Sequence, residues 1–193
     1  MSLLDWRRRI SELYAAVRAE SEPVRAWRLW RDARHELFST HPQSPLPPSG
    51  QGMPRYYDHD PELRVLGRLA PAGAVEIQLP GSAGESFAAR RFAAVEFDLS
   101  GTACRLDAYW LAGYAGGLFL PFRDASSGTE TYGGGRYLLD TSKGADLGGG
   151  ADGLVLDFNF AYHPSCAYDP RWSCPLSPAG NIVAVPVRAG ERL

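Results

Sequence analysis

Gly133-Gly134-Gly135 is followed directly by Arg136. A triple glycine lets the backbone take positive φ and come close to a ligand or another chain segment. Its exposed amides can form an anion-binding nest, and the arginine beside it offers a planar fork for a carboxylate or phosphate. The same run also reads as a turn or bulge joining two strands, and it lacks the Lys-Ser/Thr that ends a phosphate-binding P-loop. Asp157 and Asn159 stand two apart in Leu154–Phe160, a strand pattern that projects both polar groups to one side. With Glu130 as a second carboxylate, Asp157 is a candidate for general acid/base work. Arg136, Asn159, Tyr132, Tyr162, Gly133, Gly134, Gly135, Arg123, Asp124 and His163 are the candidate ligand contacts. The competing reading is a buried polar network that fixes strand register, with Arg136 bridged to Asp157 or Asp124. Asp157 is the expected partner.

His163-Pro164-Ser165-Cys166, with Cys174 beyond it, admits three readings. As a zinc site it offers Cys-x7-Cys and one histidine, without the short Cys-x2-4-Cys knuckle or a fourth ligand, so no metal is expected. As a Cys–His nucleophile pair it needs a contact that the intervening proline obstructs. The third is an ordered loop whose two cysteines pack side by side, reduced or joined. Ser126-Ser127-Gly128 makes no G-x-S-x-G elbow, which removes support for a serine hydrolase.

These residues must be carried by strands. After position 55, short runs of period two cover 63–69, 75–79, 92–99, 102–111, 117–122, 136–140, 154–160 and 182–187, about eight strands, with Ser100-Gly101 as the tightest hairpin turn. No long helical period lies among them to serve as a parallel crossover. The expectation is α+β, mainly β: an antiparallel β-barrel or barrel-like sandwich. Ahead of it, Leu3, Trp6, Ile10, Leu13, Tyr14 and Val17 form one amphipathic stripe, with Ser2 and Asp5 as a capping-box-like start. Pro23 opens a second helix, to about Phe38, on which Val24, Trp27, Trp30, Leu37 and Phe38 keep the spacing. Five prolines between 39 and 54 mark an extended connector. The division is thus a helical pair at 1–38, a connector at 39–55 and a β domain at 56–193.

The chain has 193 residues, 45% hydrophobic and 22% charged, enough apolar surface for one ordinary folded core. With 21 glycines and 15 prolines, a long-helix architecture is excluded beyond the start. A net charge of −2 and the lack of a long basic stretch argue against nucleic acid. Asp5 and Arg7-Arg8-Arg9 do not suit an export signal, and the longest uncharged apolar stretch, Tyr109–Phe122, is shorter than a membrane span. Three cysteines are too few for a disulfide scaffold, so a cytoplasmic location off the membrane is expected.

Several segments in order resemble the DUF1684 family: Phe119-Leu120-Pro121-Phe122-Arg123-Asp124, Thr131-Tyr132-Gly133-Gly134-Gly135-Arg136-Tyr137, Asp157-Phe158-Asn159-Phe160-Ala161-Tyr162-His163-Pro164-Ser165-Cys166-Ala167, Cys174-Pro175 and Ala189-Gly190-Glu191-Arg192. The chain departs from the family pattern at His163, usually asparagine there, and at Phe160, often basic. The resemblance implies no activity. On the residues themselves, the leading expectation is a barrel-mouth pocket walled by Gly133–Tyr137 and Asp157–Cys166, binding a polar or anionic small molecule with or without catalysis. The competing classes are a non-catalytic structural or protein-interaction module and a flavin-type cofactor binder in a split barrel. A pocket lined by the motif side chains favours the first, whereas burial of those side chains in mutual hydrogen bonds favours the module.

Overall fold

The structure, a computed structural model, describes residues 1–113, 116–151 and 153–193. Tyr114 and Ala115, inside the long apolar stretch, lie outside the described residues. Two helices, α1 (Ser2–Ala19) and α2 (Pro23–Thr40), precede the sheet. The predicted cap of α1 is not used: Met1 holds the N-cap position without a side-chain cap bond. Ser2 and Asp5 serve a tertiary purpose instead. Ser2 Oγ accepts from Gln43 Nε2 at 3.0 Å, and Asp5 Oδ2 meets His41 Nε2 at 3.1 Å. Both contacts tie the helix start to the Pro-rich connector.

Eleven short strands follow among the described residues: β1 (Arg55–Tyr56), β2 (Arg64–Ala70), β3 (Val75–Pro80), β4 (Ser86–Leu99), β5 (Thr102–Leu111), β6 (Gly117–Asp124), β7 (Arg136–Asp140), β8 (Gly149–Gly150), β9 (Gly153–Asp157), β10 (Ile182–Val183) and β11 (Glu191–Arg192). Nine of them form one curled sheet, a half-barrel ordered β10-β6-β5-β4-β2-β9-β8, with β3 also on β4 and β7 also on β6. The fold is mainly β and antiparallel, as the period-two pattern requires. One short exception is the parallel pairing of β10 with β6. Positive φ at Ser100 (52°) and Gly101 (78°) closes the β4–β5 hairpin. Pro121 sits at the β6–β7 bulge, where a missing N–H is tolerated.

Two strands end earlier than expected. β9 stops at Asp157 because the Asp157 carboxylate accepts the Asn159 N–H and caps a 3-10 turn over Phe158–Phe160. Asp157 and Asn159 therefore do not alternate along a strand face. β10 stops at Val183, three residues before Pro186.

The concave side of the sheet and the apolar stripes of both helices share one core. Trp30 lies at its centre with no exposed surface, edge-on to Tyr56 and Phe160, and its Nε1 donates to Tyr14 Oη at 3.1 Å. The 36-residue stretch between β9 and the end carries little regular structure. It is held by side chains rather than by a ladder.

Candidate functional site

Arg136 opens β7 and is 1% exposed. Its Nη2 donates to Asp124 Oδ2 at 2.8 Å and to Val187 O at 2.7 Å; Nη1 donates to Ala189 O at 2.5 Å and to Glu191 O at 3.1 Å. Asp124 returns the service with Oδ1, which accepts the amides of Ser126 at 2.7 Å and Val187 at 3.2 Å. The pair thus clamps the C-terminal segment onto β6 and β7. The expected Arg136–Asp157 bridge does not form, because Asp157 turns away on a different edge of the sheet and Asp124 occupies the guanidinium. Gly133–Gly135 form a turn closed by their own backbone: Gly135 N donates to Tyr132 O at 3.0 Å and Gly134 O accepts from Ser177 N at 3.1 Å. Gly135 has φ +94°, and a Cβ there would lie 2.6 Å from Phe122 O. Here the glycine brings backbone to backbone. Arg123 gives its amide to Asn181 O at 2.9 Å, beside that turn.

The two candidate carboxylates are not brought together. Asp157 is buried against Asn159, whose Nδ2 reaches Asp157 Oδ1 at 2.8 Å and Asp60 O at 2.7 Å, while Asn159 Oδ1 accepts from Asp60 N at 2.8 Å. Arg64 Nε stands 3.6 Å from Asp157 Oδ2. Burial pushes the Asp157 carboxyl above its ordinary range, against the pull of Asn159 and Arg64. The hollow beside it holds about 90 Å³, well below the ~300 Å³ at which small-molecule pockets begin. Glu130 is a surface residue, bidentate to Arg188 (2.8 and 2.9 Å) and bonded by Tyr57 Oη at 3.0 Å.

A larger hollow lies elsewhere, between the helices and the loop that follows β9. It holds about 440 Å³. Leu3, Trp6, Arg7, Ile10 and Tyr14 line it from α1, Arg34 and Phe38 from α2, Gln43 and Pro45 from the connector, and Lys143 and Ala145 from the turn after β7. The far wall is Tyr162–Ser165, Tyr168 and Trp172–Cys174. Of the expected contacts, Tyr162 and His163 line this cleft, and the glycine loop does not. A second hollow of about 480 Å³, under the connector, touches none of the motif residues.

The floor of the cleft is an ion pair. Arg34 binds Glu191 through Nε at 3.0 Å and more closely through Nη2, with both side chains almost wholly buried. The Arg34 guanidinium also faces the rings of Trp30, Phe38 and Tyr162 at 5.0, 4.9 and 4.9 Å. Glu191 Oε2 further accepts from His163 N at 2.7 Å and Tyr168 Oη at 2.5 Å. Gly190 makes this approach possible: its φ is +73°, and a Cβ would sit 2.3 Å from Ala161 O. His163 Nε2 accepts the Tyr132 amide at 3.2 Å, so that nitrogen must be unprotonated. Burial lowers the imidazole to about 4, opposed by Glu191. An asparagine oxygen can accept the same amide, which reconciles His163 with the residue usual at this position. Burial also raises the floor tyrosines, Tyr14 to about 12 and Tyr162 and Tyr168 well above the ordinary tyrosine value.

Arg34, Arg7, Lys143 and Trp172 were not among the expected site residues. A signal for Arg34 exists: it falls on the buried stripe of α2, between Trp30 and Leu37. Arg7 and Lys143 look like ordinary surface cations in the sequence, and only the folded chain sets them at one mouth.

Cys166 and Cys174 come together as expected, both as free thiols: Cys166 N donates to Cys174 Sγ at 3.4 Å. Among the described residues no group of three or more metal-ligating side chains converges, and no helix is long and apolar enough to cross a membrane.

No curated protein matches the chain. The solution NMR structure of an uncharacterized protein from gene locus rrnAC0354 of Haloarcula marismortui is similar, at 36% identity over 84% of this chain and 90% of that one, with a TM-score of 0.62. Residues 51–192, from the end of the connector through the Glu191 strand, match the family described as protein of unknown function DUF1684, to which this chain belongs.

Proposed function

We propose that the cleft between the helices and the loop after β9 binds a small amphipathic anion, with a carboxylate or similar group at the mouth and an apolar or aromatic body inside. The observation that carries this is the lining: three cations, no Asp or Glu, and a wall of Trp6, Ile10, Phe38 and Trp172 around about 440 Å³. Arg34 is neutralised by Glu191 and Lys143 Nζ lies 3.6 Å from the buried Asp140 carboxylate, so Arg7, with the half-exposed Lys143 as its neighbour, meets the ligand's charge. Arg7 Nη2 donates to Ser142 O at 3.2 Å, which places its guanidinium next to Lys143. The lining tyrosines hold their protons and His163 is held neutral with Nε2 engaged, so these groups recognise and orient rather than abstract protons.

Intrinsic fluorescence tests this, since Trp6 and Trp172 face the cleft. Aromatic and short aliphatic carboxylates should quench or shift the emission saturably, while amines of matched shape should not. Arg7→Ala with Lys143→Ala should weaken carboxylate binding by about tenfold or more, the loss of two charge-assisted contacts. Equal binding of amines and acids, or an unchanged affinity in the double variant, would overturn the reading.

A further inference from the structure

Cys174 lies on the wall of the cleft and Cys166 follows Ser165 of the same wall. The two thiols come from a chain segment with almost no regular structure, yet each is fixed. Cys174 N donates to Ser82 Oγ at 3.0 Å, Cys174 O accepts Ser82 N at 3.0 Å, and Pro175 bridges to Gly81. Cys166 sits in the single 3-10 turn Ser165–Ala167, with its amide on Cys174 Sγ at 3.4 Å and its sulfur 3.7 Å from Tyr132 Oη. Cys174 is buried and Cys166 is half-buried. The more exposed thiol is supported by hydroxyl and thiol donors, and the more buried one is held against it.

We propose that Cys166 and Cys174 form a reversible dithiol/disulfide couple on the wall of the cleft, with Cys166 as the attacking thiol and Cys174 as the resolving thiol. The co-reactant is a low-molecular-weight disulfide of the glutathione type. The Cys166 thiolate attacks one of its sulfurs, the reagent's S–S bond breaks, and the departing thiolate takes a proton. A mixed disulfide remains on Cys166. Cys174 then gives up its proton and attacks Cys166 Sγ, the mixed S–S bond breaks, and the second small thiol leaves. Two electrons and two protons pass to the reagent, which becomes two thiols, and the protein gains one S–S bond.

The environment supports this order. Hydrogen bonding from Cys174 lowers the Cys166 thiol to about 6 against the cost of burial, with Ser82 and Tyr132 adding to the effect. The hydrogen bond to Cys166, then burial, raises Cys174. The other titratable groups acting on the pair are Tyr137 and, across the cleft, Lys143. Cys104, on β5, is raised by burial and by Asp98, and serves as the internal reference. The couple does not depend on the anion reading: thiol chemistry can succeed with no carboxylate ever found, and the reverse.

The test uses the full chain carrying Cys104→Ser, equilibrated in mixtures of reduced and oxidised glutathione, acid-quenched and peptide-mapped. The expected product is a Cys166–Cys174 disulfide, two hydrogens lighter and recovered as dithiol on reduction. Adding Cys174→Ser should stop the reaction at glutathione on Cys166, and adding Cys166→Ser should leave Cys174 unmodified. Failure to join under oxidised glutathione in excess, or capping at Cys174 first, overturns the proposal. Wild-type protein covers the case of a variant that does not fold. With iodoacetamide at pH 7, Cys166 should alkylate roughly five- to tenfold faster than Cys104, because its larger thiolate fraction is partly offset by lower nucleophilicity. Its rate should hold down to about pH 6, and denaturant should abolish the difference. A native Cys166 no faster than Cys104 overturns the assignment of the attacking thiol.

Discussion

The tail clamp and the cleft beside the helices are built from the same materials and end in opposite states. Each has a buried arginine, a buried carboxylate and a share of the closing Ala189-Gly190-Glu191 segment. In the clamp, Arg136 spends both Nη groups on Asp124 and three backbone carbonyls while its buried Nε has no partner among the described residues, and glycine turns bring backbone close against backbone. In the cleft, Arg34 is satisfied by one carboxylate and three aromatic faces, and α1 stands off far enough to leave a cavity over it. Glu191 joins the two regions: its backbone carbonyl accepts Arg136 and its side chain holds Arg34. An arginine next to a glycine run is therefore no pointer to a ligand. What separates scaffold from site is whether space is left in front of the guanidinium.

The largest expected effects test the clamp as scaffold. Arg136→Met keeps most of the volume but strands the Asp124 carboxylate and three carbonyls, and should cost about 3–5 kcal/mol, on the order of 10 °C in Tm. Glu191→Gln leaves the Arg34 charge without its counter-ion and should cost a similar ~3–5 kcal/mol. By contrast, the Arg7→Ala protein should keep its stability within roughly 1 kcal/mol, since that group is exposed; Lys143 is left in place here because it faces the buried Asp140 carboxylate at 3.6 Å. Chemical denaturation of the three proteins reads the difference. A large loss in the last, or a negligible one in the first two, would reverse the assignment of scaffold and site.

His163 lies where the regions meet, and its expected effect is intermediate. Its folded pKa, about 4, lies below the 6.5 of the free side chain, so the native state binds fewer protons than the unfolded state between those values. Stability is then complete above pH 6.5 and falls as the pH drops toward 4, by about 3 kcal/mol in all. Below that both states are protonated and this contribution changes no further. His163→Asn should fold, keep the acceptor for the Tyr132 amide, and flatten this part of the stability–pH curve. An unchanged slope in the variant would show that other groups carry the acid sensitivity.

The same contrast explains what could be read from the linear chain. The helices, the hairpin at Ser100-Gly101 and eight of the eleven described strands announce themselves through local periodicity and turn chemistry, which depend on neighbours a few residues away; the two-residue β1, β8 and β11 do not. The cysteine pair was legible for a related reason, a short Pro-rich loop between its members. The partner of Arg136 was not. Asp124 and Asp157 are both plausible by residue type, and the choice rests on a 3-10 turn at Phe158–Phe160 that swings Asp157 toward Arg64 and Asn159. The cleft was less legible still. Its lining comes from α1, α2, the connector, one turn and the late loop, and no local pattern says that these separate segments meet.

The smallest expected effect belongs to Glu130, the carboxylate whose proximity to the glycine run made it a catalytic candidate. In the fold it sits outside both regions, on the surface, tied to Arg188 and to Tyr57. Hydrogen bonds from Arg188 and then Tyr57 hold its carboxyl down at about 2, the wrong direction for a group that must carry a proton at neutral pH. A depressed folded pKa favours the native state above the ordinary carboxylate range and loses that contribution as pH falls toward 2, but solvent and salt screen an exposed pair strongly. Glu130→Gln should therefore leave ligand binding in the cleft unchanged and shift the denaturation midpoint by little at low ionic strength and by nothing measurable in high salt. A loss of cleft binding in this variant would mean that the surface around Tyr57 and Arg188 is coupled to the cleft through the Glu191 strand, and that the boundary between closed clamp and open site has been drawn in the wrong place.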